Sequence, residues 1–114
     1  MSLPYREGTW FTVPLLGGGY ATGLVARATS EGKVILCYFF GPRRRVLPTL
    51  RDVQSSRPTD AVRALRVGDL GLINGEWAIL GESPSWRRAD WPIPAFVRAD
   101  PLSGRSWRVE YRDT

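Results

Sequence analysis

Histidine is absent from the chain, and cysteine occurs once, as Cys37. The commonest general base and the commonest metal ligand are therefore missing, and an internal disulfide is excluded. Zinc sites built from several cysteines or histidines are excluded as well. Cys37 lies in an apolar run at residues 34–40, where we expect a small buried side chain without a base to activate it. The sequence predicts no metal, no cofactor and no catalytic residues, which favours a protein that is not an enzyme.

A mechanism that uses only carboxylates stays open as the alternative. The eleven acidic residues are scattered, with no pair at a spacing that predicts convergence. Glu76, Glu82 and Asp90 flank two tryptophans, and a carboxylate pair among them would suit a small hydrolase. Glu76 directly follows a turn signal, so a solvated strand end is the simpler interpretation of that residue.

Long apolar runs are also missing. No run approaches the roughly 18 residues that a membrane-spanning helix needs. The first seven residues lack a basic start followed by an apolar stretch, which predicts no signal peptide and a cytoplasmic location. A length of 114 residues predicts a single domain over residues 1–114.

The positive charge is confined to one segment. The net charge of the chain is +5, and residues 43–66 alone carry seven arginines against two aspartates. The remainder of the chain is neutral. Fifteen of the sixteen basic residues are arginines, a bias that a GC-rich genome would also produce.

The informative stretch is residues 9–25, in which two β-type runs flank a triple glycine. Phe11, Val13 and Leu15 alternate, so they share one face of a strand predicted at residues 9–15. The glycines suit a tight hairpin turn, and a second strand follows at residues 20–28. Gly23 leaves room for a bulge, a bend or a neighbouring backbone.

A third strand is predicted at residues 33–40. It is apolar on both faces, which is typical of a strand that is covered on both sides. Gly41 and Pro42 are expected to end it. A helical turn should follow Pro48, with Thr49 as its cap and apolar residues spaced three apart facing inward.

The second half of the chain is harder to interpret. Residues 59–67 fit either a capped helix or a strand, and residues 70–73 suggest a short irregular apolar segment. Asn74 and Gly75 predict a turn before a strand at residues 76–81. Residues 82–94 read as a loop, and a last hairpin is predicted from residues 95–98 and 106–112. Three tryptophans are expected in strands as core residues: Trp10, Trp77 and Trp107.

Short strands separated by glycine and proline turns predict a mainly β protein with one or two short helices. A small, strongly bent sheet or an SH3-like, partly open barrel fits the length. The order of the strands cannot be read from the pattern.

The first of these stretches resembles the start of the immunity protein 26 family of bacterial polymorphic-toxin systems. The matching pattern is Gly8, an aromatic pair, Pro14-Leu15, a turn and a Tyr-Ala-x-Gly-x-Val run at residues 20–25. A second match is the Gly-x-Trp-x-Ile-x-Gly stretch at residues 75–81, and a weaker one spans residues 92–100. The resemblance implies a protein that binds a cognate toxin and blocks it, without a catalytic motif. It also implies that the shared residues maintain the fold: Phe11, Val13, Tyr20, Gly23, Trp77 and Gly81.

The arginine cluster is a departure from that pattern, and it is the first candidate partner-binding site. Arg43, Arg44 and Arg45 either extend from a solvated loop or form a docking patch for an acidic partner protein. Arginine binds carboxylates through two hydrogen bonds and steers association. A basic segment suggests a toxin with an acidic docking face, or a toxin that is not a nuclease.

The second candidate site is the loop that contains Trp86, Arg87, Arg88 and Trp91. Its composition is typical of interaction hot spots, and both tryptophans are candidates for exposure. The alternative is that one or both indoles fold back over the core as a lid. Aromatic residues between arginines also suit stacking on single-stranded bases. The alternative function is therefore a small SH3-like nucleic-acid-binding module that uses residues 43–66 and 86–88.

Overall fold

The computed structural model describes residues 3–93 with their side chains and the backbone of two further strands at residues 96–99 and 106–109. Strands and helices alternate irregularly along this part of the chain. In order they are β1 (Thr9–Pro14), β2 (Tyr20–Arg27), β3 (Val34–Arg44), α1 (Leu50–Val53), β4 (Arg63–Gly68), α2 (Leu70–Asn74), β5 (Ile79–Glu82), β6 (Phe96–Ala99) and β7 (Ser106–Val109). Short 3-10 turns occupy Pro58–Asp60 and Arg88–Asp90.

Five strands form one antiparallel sheet in the order β4-β3-β2-β1-β5, and β6 pairs with β7 separately. The predicted mainly β fold with one or two short helices is confirmed, and the structure has two short helices, α1 and α2. The sheet is open and is not closed into a barrel, so among the described strands β4 and β5 lie at its edges.

The β1–β2 hairpin has the predicted glycine turn. Gly17, Gly18 and Gly19 have φ angles of +85°, +99° and +82°, a region that side chains with a Cβ rarely adopt. The amide of Leu15 donates to the Gly19 carbonyl oxygen at 3.0 Å, which closes the turn. Three successive glycines therefore let the chain reverse between the two strands.

The third strand is longer than predicted, so the expectation that Gly41 and Pro42 end it is wrong. β3 continues through the cis Gly41–Pro42 peptide to Arg44, which pairs with Tyr20. The β2–β3 register shifts between Tyr20 and Thr22, and the pairing with β4 stops at Phe39. Proline is tolerated here because the strand is bulged on one side and unpaired with β4 on the other.

Both faces of the sheet are covered, as the pattern of the third strand predicts. The first face carries a core cluster closed by α1 and the loop after β5: Trp10, Leu24, Ala26, Leu36, Tyr38, Phe40, Val53 and Trp91. The second face carries a cluster closed by the N-terminal segment and α2: Tyr5, Phe11, Val25, Ile35, Cys37 and Leu72. The predicted burial of Trp10 and Cys37 is confirmed, since both side chains are fully buried.

Two aromatic rings are held between two glycines on the second face. The Phe11 ring lies against Gly23, its partner in the β1–β2 register. Trp77 stacks on Phe11 with ring centroids 5.3 Å apart and planes 6° apart, and its other face lies against Gly71 of α2. We call Gly23, Phe11, Trp77 and Gly71 the glycine–aromatic stack. An aromatic ring, and not a backbone segment, occupies the space that Gly23 leaves.

The ambiguous second half resolves into alternating short elements. Residues 58–60 form a 3-10 turn and residues 63–68 form strand β4, while the segment predicted as irregular at residues 70–73 is helical. Leu72 packs into the second core, and Gly75, with φ +83°, ends α2. Trp77 precedes β5, so its predicted place in a strand is wrong, although it packs against the core as expected.

The last hairpin is confirmed as the antiparallel β6–β7 pair. The predicted turn at residues 100–104 and the burial of Trp107 lie outside the described residues. No helix within the described ranges is both long enough and apolar enough to cross a membrane.

Candidate partner-binding surfaces

The first candidate cluster lies at the end of β3. Arg43 and Arg44 are the last residues of the strand, and Arg45 follows it, so the cluster begins inside the sheet and not in a loop. Arg43 and Arg45 are exposed, whereas Arg44 is half-buried. The aliphatic part of Arg43 lies over Gly19 in the β1–β2 turn. Two guanidinium groups are thus presented to solvent at one end of the sheet.

Apolar side chains extend this cluster along the chain. Val46 is 76% exposed and Leu47 is 49% exposed, directly after Arg45. Leu16, at the tip of the β1–β2 turn, is 99% exposed. Arginines beside exposed aliphatic groups have the composition of a protein-binding surface more than of a purely solvated one.

The α1 turn anchors the segment that follows. The backbone amide of Thr49 donates to the Asp52 carboxylate at 2.8 Å, as in a capping box. This hydrogen bond, with a smaller contribution from the nearby Arg44 charge, lowers the pKa of Asp52. The predicted cap at Thr49 and the inward-facing Val53 are confirmed. Arg44 therefore contributes to the local electrostatics of the fold.

The second candidate cluster is mostly bound to the core. Trp91 is only 8% exposed and makes edge-on contacts with Tyr38 and Trp10, at centroid distances of 5.1 and 6.1 Å. The Tyr38 hydroxyl donates to the Pro92 carbonyl oxygen, and its burial raises the pKa of Tyr38. The expected exposure of Trp91 is wrong. Its indole folds back over the core, as the alternative of a lid predicts.

Trp86 occupies an intermediate position. It is half-buried, packs against the first core and stacks on Trp91 with planes 24° apart and centroids 6.2 Å apart. Its indole also lies against Gly8, where an added Cβ would come within 2.9 Å of the ring. The Trp86 ring therefore contributes to the packing of the fold through two contacts.

Arg88 is tied to the start of the chain. Its Nε donates to Glu7 Oε1 at 2.9 Å, and its Nη2 donates to Glu7 Oε2 at 2.8 Å, which gives a two-point ion pair. Arg87 is exposed and lies 4.0 Å from the Asp90 carboxylate. Arg87 is consequently the most accessible of the four candidate residues in this loop.

The two candidate clusters lie at opposite ends of β1. Residues 86–88 contact Gly8 and Glu7, which precede the strand, whereas Arg44 pairs with Tyr20 beside its far end. Six residue steps of extended chain separate these ends by about 20 Å. The structure does not bring the two clusters together into one patch.

The acids that a small hydrolase would use have different local partners. Glu82 lies at the end of β5 and pairs with Arg6, while Asp90 lies beside Arg87. Glu76 is exposed, and its amide donates to the Asn74 side chain at 2.9 Å. Each of the three carboxylates belongs to a different local structure.

The outer edge of β4 is a further surface, which the sequence pattern does not reveal. Val62 is 69% exposed beside Gly41, and Leu65 on β4 is 39% exposed. Arg63 is also exposed on the same strand. Because residues 59–67 fitted both a helix and a strand, the pattern could not show that these side chains share a sheet edge.

Among known proteins, the chain matches one family model. The family model described as immunity protein 26 matches residues 6–108, which is nearly the whole chain. No curated protein and no solved structure gives a significant match. The matched region includes the glycine–aromatic stack, both candidate clusters and the whole five-stranded sheet. The chain belongs to the immunity protein 26 family.

Proposed function

We propose that this protein acts in the cytoplasm of a bacterium by binding the toxin domain of a polymorphic-toxin system and neutralising it through direct contact. The observation that carries the proposal is the family match over residues 6–108. Its action is binding and not catalysis. Binding also agrees with the absence of histidine and with the different local partners of Glu76, Glu82 and Asp90.

The surface at the end of β3 supports this role. Arg43 and Arg45 offer solvent-facing guanidinium groups, and the adjacent Val46 and Leu47 offer apolar area that no described core cluster contains. Such a surface suits a partner with an acidic face, because arginine forms paired hydrogen bonds with carboxylates. Arg44 contributes to the same positive field from its half-buried position.

The loop at residues 86–91 has a smaller part in this proposal. Arg87 is available to a partner, and Trp86 is partly exposed at the edge of the first core. Arg88 and Trp91 support the loop from within through Glu7 and the core aromatics. These contacts also weaken the nucleic-acid alternative, because base stacking requires aromatic faces that are open to solvent.

The proposal is tested by growth of cells that produce the toxin domain together with this protein. Wild-type protein should restore growth and form a stable complex with the toxin domain. In the variant Arg43→Ser/Arg45→Ser, we expect the association rate to fall about tenfold at low salt, because attraction between opposite charges speeds encounter.

The matched control is Arg51→Ser/Arg57→Ser, which removes the same charge from the same basic segment. It should associate nearly as fast as the wild type. Failure of the wild-type protein to bind the toxin or restore growth contradicts the proposed function. Equal slowing in both double variants contradicts a local role for Arg43 and Arg45 and indicates that only net charge matters. Capture of nucleic acid instead, with affinity falling steeply as salt rises, would favour the alternative module.

A further inference from the structure

We infer that the partner docks by adding an extended, acidic segment to the outer edge of β4. This inference rests on the proposed function, and it names the surface and the kind of partner segment involved. β4 spans Arg63–Gly68 and pairs with β3 over all six residues without a register shift. On its other side, no strand pairs with it among the strands that the structure describes.

The register of β4 determines which backbone groups face outward. The amide of Asp69 donates to the Lys33 carbonyl oxygen at 2.8 Å, which places the 69–33 pair in a hydrogen-bonded position. Hydrogen-bonded positions alternate in an antiparallel pair, so Arg63, Leu65 and Val67 bond to β3. Ala64 and Gly68 then direct their backbone amides and carbonyls away from the sheet. A segment laid along this edge would pair with those groups, as in β-strand addition.

The other edge of the sheet is less suitable. β5 has four residues, and its pairing with β1 is interrupted between Trp10 and Phe11. Leu50 of α1 lies over Gly81, and Glu82 is engaged by Arg6. A short, irregular strand that is partly covered offers few regular positions to an added strand.

Side chains on the β4 edge indicate the chemistry of its occupant. Leu65, 39% exposed, and Val62, 69% exposed, offer apolar contacts on and beside the strand. Arg63 is exposed between them, within the segment that carries the entire net charge of the chain. The nearby Asp60 carboxylate faces Arg57 at 3.9 Å, and the Asp69 carboxylate accepts hydrogen bonds from the Tyr5 hydroxyl and the Lys33 amide.

This charge distribution favours an acidic segment over a second copy of the chain. Two copies joined through β4 in antiparallel fashion would bring arginines of both strands close together, at the edge of two positively charged segments. Like charges across a strand pair destabilise it. A partner segment that alternates apolar residues with aspartate or glutamate satisfies both the aliphatic groups and Arg63.

The test is amide hydrogen exchange, measured residue by residue by NMR, on the free protein and on its complex with the toxin domain that co-purifies with it. We expect the amides of Ala64 and Gly68 to exchange rapidly in the free protein and at least tenfold more slowly in the complex. The amides of Arg63, Leu65 and Val67 should be protected in both. A complex in which Ala64 and Gly68 exchange as before overturns this inference and leaves the proposed function standing.

Two charge reversals complete the test. Arg63→Glu should weaken binding at least tenfold, whereas Arg51→Glu, on α1 at the β5 side of the sheet, should change it less than threefold. Circular dichroism of both variants checks that the fold is intact. Equal effects of the two variants would overturn the inference, and wild-type protein that binds no toxin domain would overturn both this inference and the proposed function.

Discussion

Gly23→Ala is the sharpest test of the glycine–aromatic stack. A Cβ built on Gly23 would lie 2.4 Å from Cζ of Phe11 and 2.8 Å from its Cε2. Carbon atoms in ordinary contact are about 3.5–4.0 Å apart, so the ring would have to move by more than about 1 Å. Trp77 is stacked behind that ring, and Gly71 lies behind Trp77, so a shift at Phe11 disturbs all members of the stack.

The change in the free energy of unfolding caused by Gly23→Ala has two opposing contributions. Overpacking of a filled core costs about 1–3 kcal/mol, and restricted movement of Phe11 places this site toward the upper end. Alanine recovers about 0.5–1 kcal/mol relative to glycine in a strand, because it loses less conformational entropy on folding. The free energy of unfolding should therefore fall by about 2 kcal/mol, which corresponds to a decrease in Tm of roughly 8 °C for a chain of this size.

Urea denaturation followed by tryptophan fluorescence measures this change. The matched control is Gly68→Ala on β4, where the nearest atom to an added Cβ is the Lys33 carbonyl oxygen at 3.9 Å. That variant should be as stable as the wild type, or more stable by up to about 1 kcal/mol. If Gly23→Ala differs from Gly68→Ala by less than about 0.5 kcal/mol, the packing argument is refuted.

Two further predictions concern the second core. Trp77→Ala should lower the free energy of unfolding by about 3 kcal/mol, because it removes an indole stacked between Phe11 and Gly71, and a near-neutral result would contradict this packing. Stability should also fall as the pH rises above about 9, because burial raises the pKa of the Cys37 thiol and of Tyr5, so the native state keeps protons that the unfolded state releases. Urea titrations from pH 7 to pH 11 measure this loss, Cys37→Ala should reduce it near pH 9, and a constant stability across that range would refute it.

The sequence was most informative where residues close together in the chain decide the structure. The triple glycine, the alternation of Phe11 and Val13, and the doubly apolar third strand were sufficient to predict β1, β2 and most of β3. These features depend on the φ preferences of glycine and on two-residue periodicity, which act locally. The cap at Thr49 was predictable for the same reason.

The errors occur where distant residues decide the outcome. β3 can continue through Pro42 because no regular ladder hydrogen bond is required from that residue. The β2–β3 register shifts beside it, and the pairing with β4 ends before it. Neither feature is visible in the local sequence. α2 is stabilised because Leu72 packs into the second core. Trp91 is buried because its indole packs against Tyr38 and Trp10.

The candidate surfaces followed the same pattern. The exposure of Arg43 and Arg45 could be predicted from a run of charge, since three adjacent arginines are not buried together. The ion pair between Arg88 and Glu7 could not be predicted, because the two residues lie 81 positions apart in the chain. The β4 edge was missed because a strand with exposed residues on both faces has no clear periodicity.

The position of β1 has a consequence for the synthesis of this protein. Its first neighbour, β2, follows after a five-residue turn, but its second neighbour, β5, is separated from it by more than half of the chain. The Glu7–Arg88 ion pair and the hydrogen bond from the Ser83 amide to the Gly8 carbonyl likewise join the beginning of the chain to its last third. A nascent chain can therefore form the β1–β2–β3 meander early, while the second edge of β1 stays open until residues beyond 82 have left the ribosome. Each new molecule therefore completes its sheet only after β5 has been synthesised, and a chain interrupted before β5 leaves β1 without its second neighbour.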